Sequence, residues 1–528
     1  MIPSGISRLL GRIPYLVARK FDQSILSGLF FCCAPLLVFL AVLVLLGANP
    51  LRWVPLWNDE VGWFTQVNSV VDHFIPPGFI GYDETHAAIG TFGPWGAFTV
   101  YAMALFGKIF GWHYCSPLFM NVFYWMLANF VFLLFVRPGY RNALKLAALN
   151  CVLFLSIQYM FTGMSECTRF SMAIMLAGLF YYLLKDENRV SRRYSAILGI
   201  VAPTMLFFFV NGYLLFAFLL PFYGYAWFRY LNPARCRLLA FVALCAVLPS
   251  LFALVCFFIQ LRTSAPCPGN TIQTYLKQPS IIALIRVIGN TIAANWKNAN
   301  MSFVFENSKK WNGCVSSYLL FYYFILVVAA IRLVSSFKTC GKARILNVLV
   351  VCALSIFILA FLALYSTKSS WTYMRGLNVA LVFSLYLVCM IDWPKLQLVL
   401  FGFAFMLFLP FSMAIRDDMT MRYLHRNQYG GGYDLFKKYS AVFSSKLVPC
   451  ESKNGWDNTV ACYGRSYNIG CAFPAGVSWN YIMDGHVVTK PRYIVTDITK
   501  NWHFNGYKKT YSDDLICIFE KQERESEK

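Results

Sequence analysis

The stretch LSGLFFCCAPLLVFLAVLVLLGA, residues 26–48, decides the fold class, because it runs for 23 residues without a charged side chain. A helix of that length crosses a bilayer core of about 30 Å. The run is longer than the apolar part of a typical signal peptide and lacks a small-residue cleavage site after it, so we interpret it as an anchor. The composition of the whole chain supports this interpretation. Its 528 residues are 58% hydrophobic and 13% charged, with a mean hydropathy of +0.55, which predicts a polytopic α-helical membrane protein.

Further apolar runs raise the prediction to about eleven transmembrane helices. The predicted spans are 26–48, 117–136, 146–164, 170–184, 195–210, 213–229, 238–261, 315–331, 345–365, 376–391 and 396–415.

The net charge of +22 follows the predicted topology. Nineteen Lys and Arg residues lie in the N-terminal segment and in alternate short connections, whereas the opposite short connections hold only Arg169, Lys368 and Arg375. This positive-inside pattern predicts a cytoplasmic N-terminus. Because topology accounts for most of the basic charge, we expect no nucleic-acid partner.

The segment TFGPWGAFTVYAMALFGKIFG, residues 91–111, is apolar but contains Lys108. If it crossed the membrane, the basic loops that follow would lie outside. We therefore interpret it as a helix in the outer interface, where Trp and a snorkelling Lys are favourable. The C-terminus is then extracytoplasmic.

The chain divides into a membrane domain, residues 1–415, and a small extracytoplasmic mixed α/β domain, residues 416–528. Two large external loops, 49–116 and 262–314, belong to the first. In the tail, residues 492–498 and 514–521 alternate as strands do, and 433–443 is typical of a helix.

Six external cysteines lie where disulfides are allowed, and their spacing matches no zinc pattern, so we expect structural thiols. They are Cys267, Cys314, Cys450, Cys462, Cys471 and Cys517. A pairing of Cys267 with Cys314 and the connectivity within the tail both stay open.

Carboxylates are scarce before the tail, yet five of them fall between residues 59 and 84. Asp59 and Glu60 are adjacent, about ten residues beyond the first span, and Glu166 follows the third span on the same predicted face. Charges near a membrane interface are costly and usually serve a function, which favours a site. The alternative is that Asp59 caps a helix beginning at Glu60. Asp72 fits an exposed position of that helix.

The remaining polar residues of the first loop permit two interpretations. Asp83, Glu84 and His86 could bind a substrate or could be solvated charges. A metal cluster of His73, His86 and His113 with these acids is a further alternative, with unspecific spacing.

The chemistry suited to interfacial carboxylates is general-base activation of a hydroxyl that attacks a lipid-borne sugar. The phosphate that leaves would need a cation. Arg375 is the first choice, because a guanidinium binds phosphate with two parallel hydrogen bonds, and Lys368 and Arg169 lie at the same level. Headgroup snorkelling is the alternative for Arg375.

The order of these elements resembles the GT-C superfamily of membrane glycosyltransferases, particularly the branch of protein O-mannosyltransferases and lipid A aminoarabinose transferases. After one span come NDE (58–60), then GTFGPWG (90–96) opening an aromatic helix, then a span that begins with SPL (116–118). In the tail, PRYIVTDI and YKKTYSDDLICIFEK are similar to the closing strands of that branch. Where many relatives have Lys-Pro-Pro, this chain has Phe92, Gly93 and Pro94.

The resemblance implies a GT-C-like fold and an inverting transfer of a sugar from a polyprenyl-phosphate donor to a glycan, lipid or protein acceptor. It implies Asp59 as the base, with Glu60 and Glu166 as further catalytic acids. The expected substrate-binding residues are Asp83, Glu84, His86, Lys108, Arg169, Lys368 and Arg375. A divalent metal is coordinated by these acids in some members and not needed in others.

We expect the protein in a bacterial cytoplasmic membrane, with the endoplasmic reticulum as the alternative. Two other functions stay open, a transporter or flippase of lipid-linked glycans and a polysaccharide polymerase or ligase. The spans carry almost no charge, which disfavours the transporter. The basic loop 262–314 keeps the ligase open.

Overall fold

The computed structural model describes a large part of the chain. The described residues are 25–47, 58–74, 80–82, 97–185, 274–275, 277–305, 342–364, 370–390, 433–447, 460–463, 469–477, 479–482, 491–498 and 501–522, with isolated positions between 327 and 417.

Within these residues the chain forms eleven helices and six strands, and five of the strands lie near its C-terminus. The helices are α1 Ile25–Leu45, α2 Asn58–His73, α3 Ala97–Phe110, α4 Ser116–Val136, α5 Tyr140–Val152, α6 Phe154–Met160, α7 Glu166–Lys185, α8 Ile281–Phe305, α9 Lys342–Leu364, α10 Ser370–Cys389 and α11 Tyr433–Lys446. The strands are β1 Ile80–Tyr82, β2 Val460–Tyr463, β3 Trp479–Ile482, β4 Tyr493–Asp497, β5 Tyr507–Ser512 and β6 Ile516–Lys521.

Most predicted spans that fall on described residues are helical. The spans 26–48, 117–136, 170–184, 345–365 and 376–391 coincide with α1, α4, α7, α9 and α10. Of the six remaining predicted spans, 146–164 is described next, and the other five fall on residues that are described at isolated positions at most.

The predicted span 146–164 differs, because it is divided between α5 and α6 at Leu153, whose ψ is 60°. The connection between the predicted spans 117–136 and 146–164 is also shorter than predicted. Helix α5 begins at Tyr140, and Lys145 is buried within it.

Helix α4 is apolar outside and partly polar inside. Among the described residues it is the one helix both long and apolar enough to cross a membrane. Its exposed large apolar side chains recur every three or four residues: Phe119, Phe123, Met126, Phe130 and Leu134. Asn121 and Asn129 are instead fully buried. Apolar side chains on the exposed side of a helix and polar side chains on its buried side are typical of a helix that faces lipid.

The helices around α4 pack closely. Helix α7 lies along α4, and Gly178 permits the approach, since a Cβ there would be 2.8 Å from the Cα of Phe132. Helix α10 packs against α7 and also contacts α4 through Tyr386, and α1 packs against α4 and α5.

The strands form one sheet in the order β1-β3-β2-β4-β6-β5. Strands β1 to β4 pair in parallel, and β6 pairs antiparallel with both β4 and β5. The edge strand β1 comes from the first loop, with Ile80 opposite Trp479. The structure thus joins part of the first loop to the C-terminal domain, while the division at residue 416 stays a prediction.

Helix α2 strengthens this connection from one face of the sheet. The indole Nε1 of Trp479 donates to the hydroxyl of Thr65 at 3.3 Å, and the backbone N–H of Gly476 donates to Ser69 at 3.2 Å. The aromatic rings of Phe64 and Phe436 meet edge to face. The C-terminal domain therefore rests on the helix that carries the acidic pair.

Candidate functional site

The acidic pair lies in the first turn of α2. The helix buries Val61, Phe64 and Val67 and exposes Asp72 at its far end. Because α2 begins at Asn58, Asp59 lies inside the first turn rather than before it, so the N-cap alternative is not supported. The unpaired backbone N–H groups of a first turn favour carboxylates there.

Glu60 is completely buried and reaches another part of the chain. Its Oε1 accepts a hydrogen bond of 2.9 Å from the backbone N–H of Gly163. Gly163 lies in the α6–α7 turn, residues 161–165. The start of α2 is thereby held against this turn, although the two are 103 residues apart in sequence.

The α6–α7 turn is also fixed from the side of α4. The side-chain amide of Asn121 donates to the carbonyl of Thr162 at 2.8 Å and to the carbonyls of Tyr159 and Met160 at 3.3 Å. The hydroxyl of Thr162 donates to the carbonyl of Tyr159 at 2.9 Å. The backbone carbonyls of a buried turn need hydrogen-bond donors. Here the donors also fix the position of the turn.

Glu166 begins α7 directly after this turn. Its Oε1 is 3.9 Å from Nη1 of Arg169, and the two side chains are 6% and 12% exposed. A guanidinium so nearly buried must keep polar neighbours. Within the described part of the chain, the Nε of Arg169, the hydroxyl of Thr168 and the Oε1 of Gln158 have no hydrogen-bond partner.

The backbone of Arg375 lies at the same end of the helical bundle. Helix α10 runs antiparallel to α5 and α6, because Asn378 donates to the hydroxyl of Ser156 at 3.0 Å and Tyr386 donates to Asn150 at 2.7 Å. Arg375 precedes Asn378 by about 4.5 Å along the helix axis. That displacement leads toward the α6–α7 turn. The backbone of Arg375 thus lies toward the end of the bundle that contains the α6–α7 turn.

Lys108 is placed elsewhere. Its ammonium group donates to the carbonyl of Val71 at 3.1 Å, at the last turn of α2. Glu60 is about 16 Å away along that helix. The structure therefore gives Lys108 a contact between α2 and α3, and its predicted substrate contact stays a prediction.

The other predicted residues fall outside the described part of the chain. They are Asp83, Glu84, His86 and Lys368, together with the side chains of Asp59 and Arg375.

The divalent metal stays a prediction, because Asp83, Glu84, His86 and the side chain of Asp59 are not described. Among the residues described, no group of three His, Cys, Asp or Glu side chains is placed to hold an ion. Glu60 accepts from a backbone amide and Glu166 faces a guanidinium. His73 and His113, part of the metal alternative, are both exposed.

Several residues that shape this region were missed in the sequence. Asn121 positions the turn, and Asn129 and Asn150 both accept from the hydroxyl of Tyr386. The available signal was the presence of asparagine inside apolar runs, where a polar side chain is costly unless it has a partner.

Comparison with known proteins gave matches among solved structures. No protein-family model and no curated protein match the chain. The structure of ArnT from Cupriavidus metallidurans in the apo state is similar over 92% of this chain and 97% of that one, with 12% identity and a TM-score of 0.43. The same protein bound to undecaprenyl phosphate gives 12% identity, coverage of 92% and 98%, and a TM-score of 0.41.

A third solved structure is the oligosaccharyltransferase of Archaeoglobus fulgidus in complex with Zn and sulfate. It is similar over 89% of this chain and 68% of that one, with 14% identity and a TM-score of 0.41.

Proposed function

We propose that the protein is an inverting glycosyltransferase that moves a sugar from a polyprenyl-phosphate donor to a hydroxyl acceptor at the outer face of the membrane. The observation that carries the proposal is the convergence at the α6–α7 turn. The first turn of α2 brings Glu60 there, and Glu166 and Arg169 follow the turn in α7. One acid from each of two predicted external loops thus lies at or directly after the same turn, and Glu166 pairs with a nearly buried guanidinium.

The proposed reaction is a single displacement at the anomeric carbon. Asp59 accepts the proton of the acceptor hydroxyl, whose oxygen forms a bond to the anomeric carbon. The bond from that carbon to the phosphate oxygen breaks, and the polyprenyl phosphate leaves with the electron pair. One general base is sufficient for such a step.

Glu60 and the two arginines have supporting roles in this proposal. Glu60 is a positioning residue, because its carboxylate holds the first turn of α2 and so holds the backbone of Asp59. Arg169 and Arg375 would bind the phosphate, where a guanidinium stabilises the charge that develops on the leaving group. Glu166 keeps Arg169 in place through their ion pair.

The test uses the protein in nanodiscs with a panel of radiolabelled polyprenyl-phosphate sugars and with glycan, lipid and protein acceptors, because the reaction needs an acceptor hydroxyl. We expect release of free polyprenyl phosphate from one donor, and loss of a general base in Asp59→Asn should slow it about 10²- to 10⁴-fold. Asp72→Asn is the matched control, since Asp72 is exposed on the same helix and should leave the rate unchanged.

Equal rates for Asp59→Asn and the native protein would overturn the assignment of the base. Such a result would favour the ligase alternative, in which the key residues lie in the loop 262–314. No turnover of any donor would count against the transferase itself.

A further inference from the structure

Helix α8 exposes a row of large apolar side chains on one side. Ile281, Ile282 and Ile285 are 75%, 74% and 64% exposed, and Trp296 is 47% exposed. At about 100° per residue, all four project within a sector of about 100°. Gly289 falls in the same sector, and a Cβ there would have no neighbour within 4 Å. Exposed apolar side chains grouped in this way mark an interaction surface.

The helix and the residues just before it are attached to the end of α9, and Asn295 lies about 40° beyond the edge of the apolar sector at Ile281. Asn295 is buried and donates to the carbonyl of Leu362 at 2.7 Å, and the hydroxyl of Tyr275 donates to the carbonyl of Ala363. Carbonyls of a last helical turn lack partners within their own helix, so these bonds complete that turn.

This attachment sets the level of α8. Helix α9 is apolar over residues 345–364 and coincides with the predicted span 345–365. In the predicted topology, its last turn lies where this span leaves the hydrocarbon layer. A helix attached at this level lies at the boundary between acyl chains and headgroups.

The charge of α8 is one-sided as well. Arg286 and Lys297 are exposed and project about 40° to 60° beyond the edge of the apolar sector. Residues 277–305 contain no Asp or Glu. An apolar sector bordered by basic side chains is the pattern of a helix that lies on an anionic lipid surface.

We propose that α8 is an interfacial helix that binds anionic phospholipid. Its apolar sector, Ile281, Ile282, Ile285 and Trp296, inserts among the acyl chains, and Arg286 and Lys297 contact the lipid phosphates. This inference concerns a surface separate from the α6–α7 turn, and it does not depend on the transferase reaction.

The test is photocrosslinking in nanodiscs of phosphatidylcholine mixed with phosphatidylglycerol. Benzoylphenylalanine replaces Ile282 in the apolar sector and, as the matched control, Ala294, which is exposed elsewhere on the same helix. We expect several-fold more lipid adduct at residue 282 than at residue 294. Similar adduct at both positions, or a crosslinked second copy of the chain at residue 282, would overturn the insertion.

The basic residues are tested in the same system by labelling one lipid at a time. Residue 282 should give more adduct with labelled phosphatidylglycerol than with labelled phosphatidylcholine. The double variant Arg286→Gln and Lys297→Gln should remove that preference and keep the total adduct. An absence of preference in the native protein would exclude selective binding of anionic lipid.

Discussion

Glu60 shows how one buried carboxylate can connect two distant segments. It is completely buried and accepts from the N–H of Gly163. The sequence allowed the prediction that Glu60 belongs to a site, because acids are scarce and grouped there. It held no sign of the partner, since a backbone N–H is present at every residue except proline.

Glu60→Leu should be markedly destabilising. It leaves the N–H of Gly163 buried without its acceptor, and such a loss costs about 1–3 kcal/mol. Glu60→Gln keeps an acceptor oxygen and should have a smaller effect. Thermal unfolding in detergent at one fixed scan rate measures both, with Asp72→Asn as the exposed control. Equal midpoints for the leucine and glutamine variants would show that the hydrogen bond contributes nothing.

At the scale of elements, apolar runs made the long helices predictable, because burial in lipid or in a helical bundle requires a continuous local pattern. The alternation in 492–498 and 514–521 likewise predicted β4 and β6. The division between α5 and α6 at Leu153 was not predictable, since neither Pro nor Gly marks it. Strands β2 and β3 were missed because each has four residues and too little alternation.

The contact between α4 and α7 depends on Gly178. A methyl group there would meet the backbone of Phe132, which cannot move aside, so Gly178→Ala should destabilise by about 1–3 kcal/mol. Gly289→Ala in α8 is the matched control. It meets no neighbour within 4 Å, and alanine favours a helix by about 1 kcal/mol over glycine. Lower stability for both variants would contradict the close approach as the cause.

Asp513 attaches α11 to the hairpin of β5 and β6. Burial acts to raise the pKa of its carboxyl, but hydrogen bonds from Lys438, from the backbone of Ile516 and Leu515 and from Tyr511 outweigh burial and lower the pKa to about 2. The Lys438 bond is 2.8 Å long. The hydrogen bond to Asp513 in turn raises the pKa of Lys438.

This attachment should weaken in acid. An unfolded Asp titrates near pH 3.9, so the stabilisation is complete above about pH 4 and is lost as pH falls toward 2. After solvent screening its size is on the order of 1 kcal/mol. Hydrogen exchange of residues 433–447 should therefore rise over this window in the native protein and change little in Asp513→Asn. Asp514→Asn is the control, because the side chain of Asp514 is 80% exposed. In this variant, hydrogen exchange of residues 433–447 should change with pH as it does in the native protein.

At the scale of the whole molecule, the first loop and the C-terminal domain form one body. Strand β1 extends the sheet, and α2 lies under β3 through Thr65 and Trp479, which are 414 residues apart. The sequence predicted the two regions separately and on the same side of the membrane. Their contact was not predictable, because pairing over such separations leaves no local pattern.

Trp479→Ala should therefore loosen α2. Loss of a fully buried indole costs about 3–5 kcal/mol, and part of that loss falls on the helix that Trp479 covers. Deuterium uptake in residues 58–73 should rise in this variant. In Trp502→Ala, which alters the other face of the sheet beside Tyr463, uptake there should stay as in the native protein. Unchanged uptake in both would show that the sheet does not support α2.

The most direct test of the central claim is native mass spectrometry of the purified protein, released stepwise from mild detergent. The transferase account predicts a bound polyprenyl phosphate or its glycosylated form, whose mass would also give the class of the sugar. Binding should weaken in Arg375→Ala and in Arg169→Ala, and stay unchanged in Lys437→Ala, because Lys437 is exposed on α11. If only ordinary phospholipids remain bound, even after incubation with polyprenyl phosphate, the proposed donor is wrong.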